Sequence, residues 1–288
     1  MLRWTPSGAV SEPATVQVRM APRFPGSVRA GAPSPGRALS IIEVNQNILW
    51  FVRDRVGPRI PAVTSAVLSA VVEPQMVAEA VSGWRRAGLQ RLVWHLGESE
   101  ADTVLLPLVD EVVCVVRSAG AAHASALTAT DGRWCAVVPL GRDVCDQLPE
   151  IVQSLIAMGP ARVVLQWPFP GAEVLAPPAQ QIAPVVREAV LALEQAAVDV
   201  GVKGLPPCAL SPTSLVGPWA GRVSRTGNRW YVDAEHQLDE ALLFFPDITR
   251  FAKPDSCRFC AVGHCCDGVP QPWLAQGLAG VLNPMHTG

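Results

Sequence analysis

The chain has 288 residues, 49% of them hydrophobic and 17% charged, with a formal net charge of −2 and eight cysteines. That length holds one large α/β domain or a barrel with a small appendage, and the apolar fraction supports a sizeable core. The near-neutral balance excludes a nucleic-acid footprint, and no run reaches the roughly 18 uninterrupted apolar residues of a membrane span. "MLRWTPSGAVSEP" carries no apolar run after its arginine, so no secretion signal is expected, and the cytoplasm is the expected compartment. There cysteines stay reduced, and clustered ones bind metal or do redox work.

In chain order, residues 1–13 and 20–40 are rich in Pro, Gly and Ser and read as flexible tail and loop. "ATVQVRM" (14–20) alternates like a strand. "EPQMVAEAVSGWRRAG" opens with Pro74, spaces Met76, Val77, Ala80, Val81 and Trp84 along one face and stops at Gly88, which predicts a helix. "LQRLVWHL" (89–96) has strand length, and "DTVLLPLVDEVVCVVRSAG" (102–120) reads as a helix closed by Gly120. "AAHASALTAT" and "RWCAVVPL" read as strands, "CDQLPEIVQSLIAMG" as a helix ending at Gly159, and "ARVVLQW" as a strand. "AQQIAPVVREAVLALEQAAVDVG" reads as a long helix ending at Gly201. Alternating strands and helices through 74–200 imply parallel strands with right-handed crossovers. An open sheet and a closed or partial barrel both fit, and either places a site at the C-terminal ends of the strands. After Gly201 the segments are short and proline-punctuated, and a metal site would explain how they hold together.

The cysteines divide into two sets. Cys114 and Cys135 fall inside the predicted helix and strand, and Cys145 at a helix start, where small buried apolar residues are common. In "SCRFCAVGHCCDGVP" (256–270), by contrast, Cys257, Cys260, Cys265 and Cys266 crowd together with His264. A Cys-x-x-Cys turn aims two thiolates at one metal and a third ligand five or six residues on adds a corner, while Pro254, Gly263 and Gly268 supply tight turns. Zinc would be served by Cys257, Cys260, His264 and Cys266. A 4Fe-4S cluster wants four thiolates, one of which can come from far away in sequence. Cys208 in "VKGLPPCALSP" is the candidate for such a distant thiol, set after a Pro-Pro pair in proline-bound loop. The chain's only lysines are Lys203 and Lys253.

"GLPPC" followed some fifty residues later by "KPDSCRFCAVGHCCDGV" resembles the C-terminal segment of radical S-adenosylmethionine (radical SAM) proteins with a twitch or SPASM-type extension. That resemblance implies an α/β fold built on a partial (β/α) TIM-like barrel, with a small cysteine-rich C-terminal subdomain holding one auxiliary 4Fe-4S cluster. Cys208, Cys257, Cys260 and Cys266 then take the metal-ligand positions, with Cys265 and His264 as alternates. The implied organisation is a tail over 1–13, a degenerate barrel over 14–201 and a cluster-binding extension over 202–288. "LVWHLGESEAD" resembles the family's Gly-Gly-Glu-Pro motif, placing Gly97 and Glu98 where S-adenosylmethionine is met, with Ser99 in place of proline. "LTATDG" resembles the end of the third strand.

The catalytic Cys-x3-Cys-x2-Cys of that family is missing from residues 21–73, where it would lie; the first cysteine of this sequence is Cys114. Autonomous radical chemistry is therefore not expected, and no catalytic residue is assigned. The resemblance instead implies a partner or electron relay for an active radical SAM enzyme, in peptide or natural-product modification. A zinc-stapled binding module is the alternative, and a third reading takes His95, Glu98 and Asp131 as acid–base groups at strand ends.

Overall fold

The computed structural model describes residues 2–5, 8–11, 15–19, 65–69, 90–96, 106–119, 134–168, 175–217, 219–224, 230–233, 242–244, 251–280 and 282–287, with helical residues 78, 81–82 and 85–86. The strands in chain order are β1 (Leu2–Thr5), β2 (Gly8–Ser11), β3 (Thr15–Arg19), β4 (Ser65–Ser69), β5 (Arg91–Leu96), β6 (Glu111–Val115) and β7 (Trp134–Pro139). They continue as β8 (Arg162–Gln166), β9 (Asp199–Lys203), β10 (Val223–Ser224), β11 (Trp230–Asp233), β12 (Leu242–Phe244), β13 (Phe251–Ala252) and β14 (Val269–Pro270). The chain divides into two compact units: Met1–Cys114, Ser125–Arg133 and Asn228–Ile248 form one, and Val115–Ala124, Trp134–Gly227 and Thr249–Gly288 the other.

In the first unit the strand order is β6-β5-β4-β3-β11-β12. All neighbours run parallel except the antiparallel β11–β12 pair. The stretch read as a tail carries the antiparallel β1–β2 pair. The helix expected over 74–88 agrees at its described positions, where Val81 is buried and the Ser82 hydroxyl donates to the Ala78 carbonyl four residues back. The helix expected over 102–120 is corrected: one 3-10 turn, Leu106–Leu108, is followed by strand β6. Its Val-rich core, Val112 to Cys114, is buried without a break. A run apolar on both faces has no 3.6 period, and β-branched residues pack well on a buried pleated sheet. Cys114 is thus a strand residue. Asp110 anchors the start of β6, accepting the Leu92 N–H at 2.6 Å and pairing with Arg85. The Leu92 N–H bond and the Arg85 guanidinium outweigh burial and hold this carboxyl below its usual range.

In the second unit β7, β8, β9 and β10 are parallel neighbours. The helix Leu148–Met158 joins β7 to β8 as expected, burying Leu148, Ile151, Val152 and Leu155 at helical spacing. It ends at Gly159, whose φ of 63° is the left-handed cap that glycine adopts without a Cβ penalty. The long helix Ala179–Gln195 buries Ile182, Ala183, Val186, Ala189, Val190 and Leu193 on one stripe. Its expected end at Gly201 is corrected. The helix stops at Gln195, Ala197 turns left-handed at φ 58°, and Asp199–Lys203 forms β9. Gly201 lies inside that strand, opposite Val164. Leu92, Val138, Leu155, Val163, Leu165, Val186 and Val202 are all nearly or fully inaccessible to solvent. Burying a Val or Leu side chain is worth about 1.5–3 kcal/mol, so these stripes and strands carry the stability of their units. No helix among the described residues is long and apolar enough to cross a membrane.

Candidate metal centre

The β8–helix–β9 unit decides where Cys208 falls. β8 ends at Gln166 and is continued by Trp167, whose N–H donates to the Lys203 carbonyl at the end of β9 at 2.8 Å. Gly204 then turns with φ +90°, and a Cβ there would come within 2.9 Å of the Trp167 carbonyl oxygen, so glycine is required. Pro206 is extended and Pro207 opens the short helix Pro207–Leu210, which carries Cys208. Cys208 therefore sits beyond the C-terminal end of a parallel strand, where α/β folds gather their sites, rather than at the end of the long helix.

The second half of the centre is a string of tight turns. A 3-10 turn spans Asp255–Phe259, and the Cys257 N–H donates to the Pro254 carbonyl at 2.9 Å. The Cys260 N–H donates to Cys257 at 3.1 Å, Gly263 to Cys260 at 2.9 Å, and Cys265 and Cys266 to Val262 at 3.1 and 3.0 Å. The antiparallel pair β13–β14 closes the base of this loop. Helix Gln271–Ala275 follows, and the Trp273 indole N–H donates to the Pro168 carbonyl at 2.8 Å, 105 residues away, tying the segment to the end of β8. Trp167 and Trp273 lie with ring centroids 6.4 Å apart, and the Trp167 indole N–H reaches the Pro177 carbonyl.

The two halves lie near enough for their thiols to influence one another. None of the eight cysteines is in a disulfide, and Cys266, Cys257 and Cys260 lie near enough to Cys208 to act on its thiol. Burial first, then those three thiols, push Cys208 up to about 12. Burial and the neighbouring Cys260 also raise Cys257, against the pull of Lys253 and the Ser256 hydroxyl. Burial raises Cys266 too, against the Gly268 N–H and Lys253. Burial and neighbouring thiols disfavour the thiolate forms of Cys208, Cys257 and Cys266, and a bound cation would offset that cost.

Two further contacts point the same way. The Gly268 N–H donates to Cys266 Sγ and the Met285 N–H to Cys260 Sγ, each at 3.3 Å. Backbone N–H groups aimed at sulfur favour its charged, metal-bound form and tune the potential of an iron–sulfur centre. Cys265 behaves otherwise: its thiol is placed as a donor to the Val262 carbonyl at 3.4 Å, a role that needs the proton. His264 is exposed. Among the described residues no group of three or more His, Cys, Asp or Glu side chains converges to hold a metal ion. The donor set fits a cluster in its all-thiol chemistry and in the N–H groups aimed at Cys260 and Cys266.

Sequence reasoning assembled the four thiols but passed over Lys253, whose ammonium donates to the Gly263 carbonyl at 2.7 Å and lends positive charge to Cys257 and Cys266. One of only two lysines standing directly before the cysteine run was the available signal. The Met285 N–H, a backbone group, left no trace in the sequence. Of the other residues singled out, Cys114 and Cys135 are buried strand residues, and burial pushes Cys114 up to about 12. Cys145 is half-buried in the short helix Arg142–Cys145, and burial pushes it up to about 11. Gly97, Glu98 and Asp131 lie outside the described residues, and of His95 the strand backbone alone is described, paired with Ser69 and Val113.

No family model matches the sequence, and no curated protein does. Among solved structures the chain is similar to Streptococcus suis SuiB bound to S-adenosylmethionine, at 10% identity and a TM-score of 0.54, over 92% of this chain and 74% of that one. It also matches the enoyl reductase domain of MlnA from the macrolactin biosynthesis cluster of Bacillus amyloliquefaciens, at 10% identity and a TM-score of 0.34, over 68% of this chain and 49% of that one, too low to carry an argument. The first likeness shows a fold and no more: an α/β architecture shared with that structure.

Proposed function

We propose that this chain is an iron–sulfur protein on a radical SAM-type fold, holding one 4Fe-4S cluster through Cys208, Cys257, Cys260 and Cys266. The observation that supports the reading is that Cys266, Cys257 and Cys260 lie near enough to Cys208, across some fifty residues of sequence, to act on its thiol. In this role 202–288 is the cluster-bearing extension and 14–201 the degenerate barrel. When bound, the cluster would supply one-electron transfer. The chain's own residues set its terms: Lys253 offsets the negative charge at Cys257 and Cys266, and the Gly268 and Met285 N–H groups brace two sulfurs.

The missing Cys-x3-Cys-x2-Cys motif makes the chain a partner or electron relay for an active radical SAM enzyme, in peptide or natural-product modification, rather than an autonomous catalyst. S-adenosylmethionine, which the SuiB structure holds, would meet Gly97 and Glu98 here if the chain retains it. A reducing compartment such as the cytoplasm suits eight free thiols.

Iron, zinc and acid-labile sulfide per chain after anaerobic purification test the assignment. About four irons and four sulfides, sharply reduced in Cys208→Ala and unchanged in Cys265→Ala, are expected. One zinc without sulfide, indifferent to Cys208, would refute the cluster and leave a zinc-stapled module. About eight irons would refute the partner role.

A further inference from the structure

Residues 282–287 make an unusual set of contacts for so short a piece of chain. The Ala261 N–H, directly after Cys260, donates to the Met285 carbonyl at 2.8 Å, and the Met285 N–H returns to Cys260 Sγ at 3.3 Å. The Ser256 hydroxyl, beside Cys257, donates to the Leu282 carbonyl at 3.4 Å. On the other side the His286 N–H donates to the Ser214 carbonyl at 2.6 Å, the Val216 N–H donates to the His286 carbonyl at 2.9 Å, and Leu215 and His286 form a parallel bridge. Met285 is fully buried and Leu282 nearly so. The segment thus holds the cysteine loop with one edge and, with the other, the stretch that follows Cys208.

We propose that residues 282–287 are a strap that sets the spacing between Cys208 and the three terminal thiols, and that the Met285 amide is a positioning donor to the Cys260 sulfur. This rests on the cluster reading above. Across some fifty residues of intervening chain, the strap links the two anchor regions directly through backbone bonds on both sides. Pro284, immediately before Met285, fixes one backbone torsion at the point of contact and limits its freedom. An N–H bond to a ligand sulfur stabilises the more negative, reduced state, so its loss lowers the reduction potential.

The first test uses the unaltered holoprotein labelled with 15N-methionine, its cluster reduced and its nitrogen couplings read by pulsed electron paramagnetic resonance. A 15N coupling that vanishes in Met285→Leu, where the amide stays but its label goes, is the expected result. The second compares Met285→Pro, which removes the N–H, with Met285→Ala, which keeps it while losing the same packing. A midpoint potential shifted downward in the proline variant relative to the alanine variant is expected. Absence of the 15N coupling, or equal potentials in the two variants, in a chain carrying its full iron, overturns the strap alone. A chain that takes up no iron and sulfide overturns the cluster reading and the strap with it.

Discussion

Replacing Gly268 with alanine separates two costs that the cysteine loop imposes on its backbone. Gly268 has φ +87°, and a Cβ built there would lie 2.3 Å from the Ala252 carbonyl oxygen and 2.9 Å from Lys253 Cγ. Gly277 has a similar φ of +70° but nothing within 4 Å of its Cβ position. A left-handed non-glycine residue costs about 1–2 kcal/mol, which both substitutions incur. At Gly268 the alanine must also push a backbone carbonyl back by roughly half an ångström or more, and forced overpacking of this kind costs a further 1–3 kcal/mol or so. Gly268→Ala should therefore destabilise by about 2–5 kcal/mol and Gly277→Ala by about 1–2 kcal/mol. Pulse proteolysis across a urea series, on iron-free chains so that cofactor loss does not mix in, measures the two. Equal losses would refute the reasoning, because they would mean that the β13–β14 pair yields without cost and that the close approach to Ala252 does not constrain the loop.

Three other outcomes follow from the same geometry. Asp110 is held below the ordinary carboxylate range, so its contribution is present above the unfolded value near ~3.9 and is lost as pH falls through its lower folded value. Asp110→Asn should cost less than about 1 kcal/mol at neutral pH, since the side chain is nearly half exposed, and the difference from the unaltered chain should vanish in acid unfolding curves. Trp167→Phe strands the buried Pro177 carbonyl and opens space beside Trp273, so a loss of about 1–3 kcal/mol is expected in thermal or urea unfolding. In the folded iron-free chain at pH 8, Cys114, buried and pushed up to about 12, should remain unalkylated by iodoacetamide as followed by mass spectrometry, and its modification before unfolding would contradict its place in β6.

What the sequence disclosed depended on whether the signal was local. The helix Leu148–Met158 was legible because its apolar positions repeat at helical spacing and Gly159 supplies the cap. The stretch around Cys114 was misread because a run buried on both faces loses the period that separates strand from helix. The end of the long helix was misread for a different reason. Gln195-Ala196-Ala197 has good helical propensity, and nothing in an alanine announces the left-handed turn that releases β9. At the centre, cysteine spacing pointed to a metal site with its ligands left open, and the family resemblance singled out Cys208, Cys257, Cys260 and Cys266, with Cys265 and His264 as alternates. The groups around them, the Met285 amide above all, come from distant backbone that carries no residue signature.

The division of the chain into two units has a consequence for anyone who would cut it. The backbone passes between the units at 114–115, 124–125, 133–134, 227–228 and 248–249. A single break after residue 201 would take Cys208 and the terminal cysteines from the second unit, and in the same stroke would strip the first of β11 and β12, with β11 leaving its place beside β3. Neither unit is a contiguous stretch of gene, so neither can be shuffled, duplicated or expressed as one uninterrupted fragment. A protease that nicks the chain at 124–125, 133–134 or 227–228 leaves each unit with pieces on both sides of the cut.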